Sequence, residues 1–503
     1  MPNPLRSPAR DRRAGLRRLP SATLAALTAL AGLALTVPTV SAAPPLPPSG
    51  PAAPPASSCP ALPGLRSALA SLTTRDGVAG AAALVTEAAA DRGCTRRSEA
   101  TGHADLATRR PMNASDRLRV GSVTKTFTAT VVLQLAAEHR LRLDAPVGHY
   151  LPGVLPAAAD GGPGPTVRDL LRHTSGLPDH LEAPEWEHPE TLRFRHFGPR
   201  RLVDRALRLS RPDAGWHYAT TNYLLAGLIV RKVTGRSPEE EITRRVIRPL
   251  GLRDTYWPGD DPRLRGPHSR SYFLRPGGER VDGTDWNMTF GGVGGALVST
   301  PADLTRFATA LAGGRLLPPH QLDAMRRTVP ADPDRVWPGA RYGLGIITTP
   351  LRCGGRWWGH AGTVPGGHRA LVAVGPGGRT VALALNQVPD TLRAEEDFLD
   401  VVQTALCGDR PSGPAHAHTV EPAPAPPSGP ASARTSGFAS GPLDGPTSGG
   451  SPSAGPAGPF GPFGPAPGPF EGPGTARSVG VTPARSPGAL GRPLTATAER
   501  TLP

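Results

Sequence analysis

Arg119-Val120-Gly121-Ser122-Val123-Thr124-Lys125 opens an apolar stretch that reads as a helix to about His139. Its last residue is one of only two lysines in 503 residues, the other being Lys232; arginine fills every other basic position. A guanidinium stays protonated at any accessible pH and cannot accept a proton. A lysine amine can, once burial or a neighbouring cation lowers its pKa. Residues i and i+3 share a helix face, so the Lys125 amine can reach the Ser122 hydroxyl, the arrangement of an activated serine nucleophile. A solvated surface pair is the plainer reading of Ser-x-x-Lys, and the scarcity of lysine weighs against it. Lys232 shows the plain case, near a predicted helix end where a cation suits the dipole.

Outward from this stretch, residues 1–42 read as an export signal. Six arginines between Arg6 and Arg18 precede an apolar run, Leu24 to Val37, and Val40-Ser41-Ala42 resembles a cleavage site. The run is too short and too rich in small residues for a membrane span. Removing those six arginines and Asp11 lowers the formal charge from +15 to about +10. The remaining arginines form no stripe interleaved with aromatics, so nucleic acid is not an expected partner; an anionic cell envelope is. Four cysteines, Cys59, Cys94, Cys353 and Cys407, suit an oxidising exterior as two disulfides. Three pairings are possible; Cys59–Cys94 and Cys353–Cys407 are favoured, each at one end of the folded region. No zinc-ligand spacing occurs, and neither metal nor cofactor is expected.

Residues 43–59 are a Pro/Ala-rich linker, 60–407 a periodic region large enough for a substantial core, and 408–503 a Pro/Gly/Ser-rich tail expected to be disordered. Helices are expected at Leu65–Leu72, Val167–Arg172, Leu202–Leu209, Tyr223–Val233, Glu239–Ile247, from Pro301 onward, and at Ala394–Leu406. Strands are expected at Val78–Val85, Tyr342–Thr348, Trp357–Gly359, Ala370–Val374 and Val381–Asn386. Strands at both ends with a helical insertion between them predict an α/β (α+β) fold: an antiparallel sheet reuniting the termini, flanked by helices, with a mainly helical subdomain.

Four further segments join the Ser-x-x-Lys stretch: Leu170-Leu171-Arg172-His173-Thr174-Ser175-Gly176-Leu177-Pro178, Trp216-His217-Tyr218-Ala219-Thr220-Thr221-Asn222-Tyr223, Tyr342-Gly343-Leu344-Gly345 and Trp358-Gly359-His360-Ala361-Gly362-Thr363. In this order they resemble the serine β-lactamase and DD-peptidase superfamily, closest to secreted D-alanyl-D-alanine carboxypeptidases and class C β-lactamases. The resemblance covers nearly all of 60–407. It implies a β-lactamase/transpeptidase-like fold and a covalent acyl-enzyme. Ser122 is then the nucleophile, Lys125 its proton acceptor and Tyr218 the proton shuttle to the leaving group. Tyr218 would need a nearby cation to favour its phenolate. His360 would support that proton network as a donor or cation. The backbone N–H groups of Ser122 and Thr363 would form the oxyanion hole, and Thr220, Phe290, Ala361, Gly362 and Thr363 would contact substrate.

The departures concern substrate. Thr220 stands where the family loop has an amide-binding Asn, Ala361 replaces a Thr that contacts a substrate carboxylate, and Ile347-Thr348-Thr349 lies where carboxypeptidases carry Arg. Arg352 and Arg356 lie nearby in sequence, with directions that sequence does not give. The leading expectation is an exported D-Ala-D-Ala carboxypeptidase, secreted or wall-associated and monomeric, acting on peptidoglycan stem peptides and acylated by β-lactams. The same mechanism on a β-lactam, ester or D-amino-acid amide is the first alternative, and a non-catalytic envelope-binding protein is the alternative of another class. The weakened carboxylate clamp favours acyl donors without a free carboxylate. No Gly-x-Ser-x-Gly elbow occurs in 60–407, which disfavours an α/β-hydrolase.

Overall fold

Pro63 starts a helix, α1 (Pro63–Thr74), that buries Leu65, Leu69 and Leu72 along one stripe. The computed structural model describes residues 62–87, 96–157, 161–212 and 215–408. The expected leader, linker and tail fall outside the described residues apart from Gly408, and so does the expected Cys59–Cys94 bond.

Nine strands form one antiparallel sheet. They are β1 (Gly80–Thr86), β2 (Arg96–Asp105), β3 (Arg110–Pro111), β4 (Val329–Pro330), β5 (Arg341–Tyr342), β6 (Ile347–Pro350), β7 (Arg356–Thr363), β8 (Arg369–Val374) and β9 (Thr380–Leu385), in the order β3-β2-β1-β9-β8-β7-β6-β5-β4. The pairing of β1 with β9, Ala81 opposite Leu385 through Thr86 opposite Thr380, joins the two ends of the folded region. The sheet therefore reunites the termini as its apolar runs predict. Strand β2 was not expected: Arg96-Arg97-Ser98-Glu99 is too polar to read as a strand, and its outer face is exposed. The expected strand Tyr342–Thr348 is two strands, because Gly345 turns the chain at φ +78° between β5 and β6.

Side chains alternate between two apolar layers. On one face Ala81, Trp357, Leu371 and Leu383 pack with α1 and with α6 (Leu392–Cys407), whose Phe398, Val401 and Val402 are buried. Thr391 caps α6 by accepting the Ala394 N–H at 3.1 Å. Its last residue is disulfide-bonded to Cys353, with Cα atoms 5.7 Å apart. The opposite face carries α5 (Pro301–Ala312), which starts as expected with Thr300 as cap and Pro301 in the first turn.

Beyond α5 lies α2 (Thr124–Ala137), buried from Thr124 to Leu133 on every side. Such a helix is central rather than amphipathic. The rings of Phe127 and Phe307 stack at 3.7 Å between α2 and α5, and burying each fully contributes about 1.5–3 kcal/mol. Helices α3 (Val167–Arg172) and α4 (Thr220–Thr234) belong to the mainly helical part of the chain between β3 and β4. The expected helix Glu239–Ile247 is instead Pro238–Ile242 followed by a π turn, Thr243–Ile247.

Candidate active site

Ser122 lies in a 3-10 turn, Gly121–Val123, immediately before α2. The turn meets the end of β7 closely. A Cβ on Gly362 would come within 2.0 Å of the Val120 carbonyl oxygen and 2.6 Å of the Ser122 nitrogen. A Cβ on Gly121, at φ +51°, would lie 2.8 Å from the Thr363 nitrogen. Glycine at both positions lets two backbone segments touch, so the N–H groups of Ser122 and Thr363 are neighbours. The glycine-rich strand thus accommodates the Ser122 turn at Gly362.

Lys125 is fully buried, and its Nζ has three partners: Ser122 Oγ at 3.0 Å, the Gly294 carbonyl at 3.0 Å and Thr220 Oγ1 at 3.3 Å. A neutral amine has two N–H bonds and one lone pair. With the N–H bonds directed at Gly294 and Thr220, the lone pair faces the Ser122 hydroxyl. Burial pushes the amine down to about 7, against the opposing pull of the Asp179 carboxylate. The neutral form is therefore abundant near pH 7. Thr220, expected at a substrate contact, is a hydrogen-bond partner of the lysine. Gly294 belongs to a run, Gly291-Gly292-Val293-Gly294-Gly295, that the sequence reading passed over; the density of glycine was its signal.

Tyr218 sits two residues before α4, with the Ser122 side chain beside its phenol and its ring 4.8 Å from Lys125 Nζ. Burial of the phenol pushes its pKa well up, although the residue as a whole is only partly buried. The phenol is thus protonated at rest, because lost hydration, with the Asp179 charge beside it, outweighs the opposing pull of the Ser122 side chain; the condition a phenolate requires is not met. Tyr218 is positioned through His173, the left-handed cap of α3 at φ +64°. The His173 carbonyl accepts the His217 N–H at 3.0 Å, and its Nδ1 accepts the Ala219 N–H at 3.2 Å. Asp179 accepts the Thr220 N–H at 2.9 Å. These bonds account for the Leu170–Pro178 segment, whose motif had no assigned role.

His360 is 1% exposed and held neutral, at about 3, by burial and by the Lys125 charge. It is not a cation, as one expectation had it. Its Nδ1 lies 2.5 Å from the Ala361 carbonyl and its Nε2 2.8 Å from the Tyr342 hydroxyl. Phe290 is buried against Trp186, with ring centroids 5.0 Å apart. Ala361 is 7% exposed among the residues facing α6. Thr363 receives a hydrogen bond from Arg369, which also pairs with Glu395.

Both arginines near the missing clamp are engaged by partners within the fold. Arg352 is bound to Asp400 and Thr404 of α6, and Arg356 donates to Thr348 at 3.2 Å. Ile347 is 2% exposed in the core facing α6. No group of three or more metal-ligating side chains occurs among the described residues. No described helix is long and apolar enough to cross a membrane.

A family model described as Beta-lactamase matches residues 65–406, most of the chain. The chain belongs to the β-lactamase family. This β-lactamase-family chain is similar to a D-stereospecific amidohydrolase from Streptomyces sp., with 35% identity, a TM-score of 0.62, and coverage of 69% of this chain and 99% of that one. It is 30% identical to penicillin-binding protein 4 of Amycolatopsis lactamdurans over 53% of its own length and 70% of the relative's. It is 34% identical to esterase EstB of Burkholderia gladioli over 32% of its own length, spanning 44% of that relative. With amidohydrolase, penicillin-binding and esterase relatives, the family assignment gives a serine hydrolase and leaves the acyl donor open.

Proposed function

We propose that this chain is an acyl-transfer serine hydrolase acting on small D-amino-acyl compounds, with preference for amides and esters over substrates ending in a free carboxylate. In the proposed cycle neutral Lys125 takes the Ser122 proton as Oγ attacks the carbonyl carbon. The N–H groups of Ser122 and Thr363 hold the developing oxyanion, a contribution of about 3–4 kcal/mol for a donor of this kind. Tyr218 delivers a proton to the leaving amine or alkoxide, and water then cleaves the acyl-Ser122 ester.

The observation carrying the substrate preference is the fate of the candidate clamp arginines: Arg352 is tied to α6 and Arg356 to Thr348, while Ile347 is core. The D-configuration rests on the similarity to the Streptomyces amidohydrolase. Export is proposed with it, from the leader-like residues 1–42 and the Cys353–Cys407 disulfide. A D-Ala-D-Ala carboxypeptidase, favoured by the likeness to penicillin-binding protein 4, is the second reading.

A panel comparing D-amino-acid amides, an acetylated D-Ala-D-Ala peptide, its C-terminal amide, nitrocefin and short esters separates the two readings. The amide and ester should exceed the free acid in kcat/KM by about ten-fold or more, the worth of one charged contact. Faster hydrolysis of the free acid overturns the preference and leaves the carboxypeptidase.

A further inference from the structure

Strand β7 ends at Thr363, whose backbone N–H is one of the two proposed oxyanion donors. Its cross-strand partner on β8 is Arg369. Arg369 Nη1 donates to Thr363 Oγ1 at 2.5 Å, and Nη2 donates to the Glu395 carboxylate on α6. The guanidinium lies 4.7 Å from the centre of the Phe398 ring, and its Nε is buried without a partner. Only 13% of the Arg369 side chain and 11% of the Glu395 side chain are exposed. A buried ion pair is a weak means of stabilisation, because removing two charges from water costs about what their attraction returns. The position of this pair therefore asks for another explanation.

Guanidinium is the best protein partner for a carboxylate because its parallel N–H bonds match the two oxygens. Here one such group reaches the strand residue beside the proposed nucleophile, yet both of its terminal nitrogens are engaged. We propose that the Arg369–Glu395 pair is a specificity determinant: Glu395 neutralises and occupies the guanidinium, closing the Thr363 end of the site to substrates with a free carboxylate. This deepens the preference proposed above and rests on that reading. Glu395 acts through Arg369, and Arg369 acts at the substrate position through Thr363.

The test compares kcat/KM for the acetylated D-Ala-D-Ala peptide with that for its C-terminal amide, taken as an acid-to-amide ratio in each variant. Glu395→Gln keeps the shape of the side chain and removes its charge, so the ratio should rise at least about ten-fold, mainly through a lower KM for the acid. Arg369→Gln leaves Glu395 to repel a carboxylate, and the ratio should fall. The double variant should return the ratio to within about three-fold of the starting value, the signature of a coupled pair. A folded Glu395→Gln protein, labelled by fluorescent penicillin to the parent's stoichiometry, whose ratio stays within about two-fold of the parent's overturns the proposal. If Glu395→Gln does not fold, an unchanged ratio in Arg369→Gln overturns it equally. The parent ratio by itself tests the preference for amides, whereas the change between variants tests the pair, so the two readings fail separately.

Discussion

His360 Nε2 lies 2.8 Å from the Tyr342 hydroxyl, and its Nδ1 lies against the Ala361 carbonyl. A carbonyl only accepts, so Nδ1 carries the proton and Nε2 accepts from Tyr342. Both ring nitrogens are thereby used within the fold. His360 orders the strand and the aromatic wall behind Tyr218, where the sequence reading had made it a donor or cation in the proton network. Tyr342→Phe should leave Nε2 buried and unpaired, lowering stability by about 1–3 kcal/mol while kcat falls less than about ten-fold. Thermal unfolding beside steady-state kinetics checks this; a hundred-fold loss of kcat with unchanged stability would restore the proton-network role.

Covalent chemistry depends on the Ser122–Lys125 pair. Ser122→Ala should abolish labelling by fluorescent penicillin and by a fluorophosphonate. Lys125→Arg should be nearly as damaging, because a guanidinium keeps the charge and cannot take the Ser122 proton. Retention of most activity in Lys125→Arg would remove Lys125 as the base.

The pH profile follows from burial of that amine. With Lys125 lowered from its ordinary 10.5 to about 7, the neutral base is lost as pH falls through 7. Accordingly kcat/KM should climb through an acid limb near pH 7 and level off above about pH 8. Asp179→Asn removes the charge that opposes this shift, so the limb should move to lower pH. The sign for stability is set by the same amine. A lowered lysine penalises the folded state fully below about pH 7, and the penalty lifts as pH rises from there toward 10.5. A limb that Asp179→Asn leaves in place would exclude Lys125 as its source.

Gly362→Ala tests the contact between β7 and the Ser122 turn. Its new methyl would meet the Val120 carbonyl and the Ser122 nitrogen, for which the gap has no room. Overpacking of this kind costs about 1–3 kcal/mol. Displacing the turn by an ångström is expected to lower kcat about 100-fold. Full activity in a folded Gly362→Ala protein would show that the two N–H groups do not act together.

Cys353 and Cys407 close a loop with a sequence separation of 54, and replacing both by Ala should cost about 2–4 kcal/mol in thermal or denaturant unfolding. Non-reducing peptide mapping should recover this bond together with Cys59–Cys94. Trimming residues 412–503 should leave the melting temperature unchanged, since the sheet and α6 are complete at Cys407. A lowered melting temperature would show that the tail packs on the fold.

Grafting Arg at Ile347 with Thr at Ala361 follows from the sequence reading as a way to rebuild a carboxylate clamp. The structure argues against it: Ile347 is 2% exposed in the core facing α6, where a guanidinium would be buried without a partner. The variant should aggregate or unfold before it gains activity toward the free acid.

Sequence alone determined what depends on near neighbours along the chain. The i, i+3 spacing brings Lys125 to Ser122, Thr300-Pro301 starts α5, and apolar runs at both ends of 60–407 become β1 and β9. Strand β2 escaped it because an exposed strand needs few apolar residues, and its pairing with β1 is made by the sheet. Tertiary structure alone decided the protonation of Lys125 and Tyr218, the partners of His360, and which arginines are free. Those properties depend on desolvation and on contacts between elements far apart in the chain: Lys125 with Gly294, Tyr342 with His360, Arg369 with Glu395. A charge written in sequence carries no direction until the fold supplies its surroundings, and here the surroundings engage Arg352 and Arg356 away from the role their positions suggest.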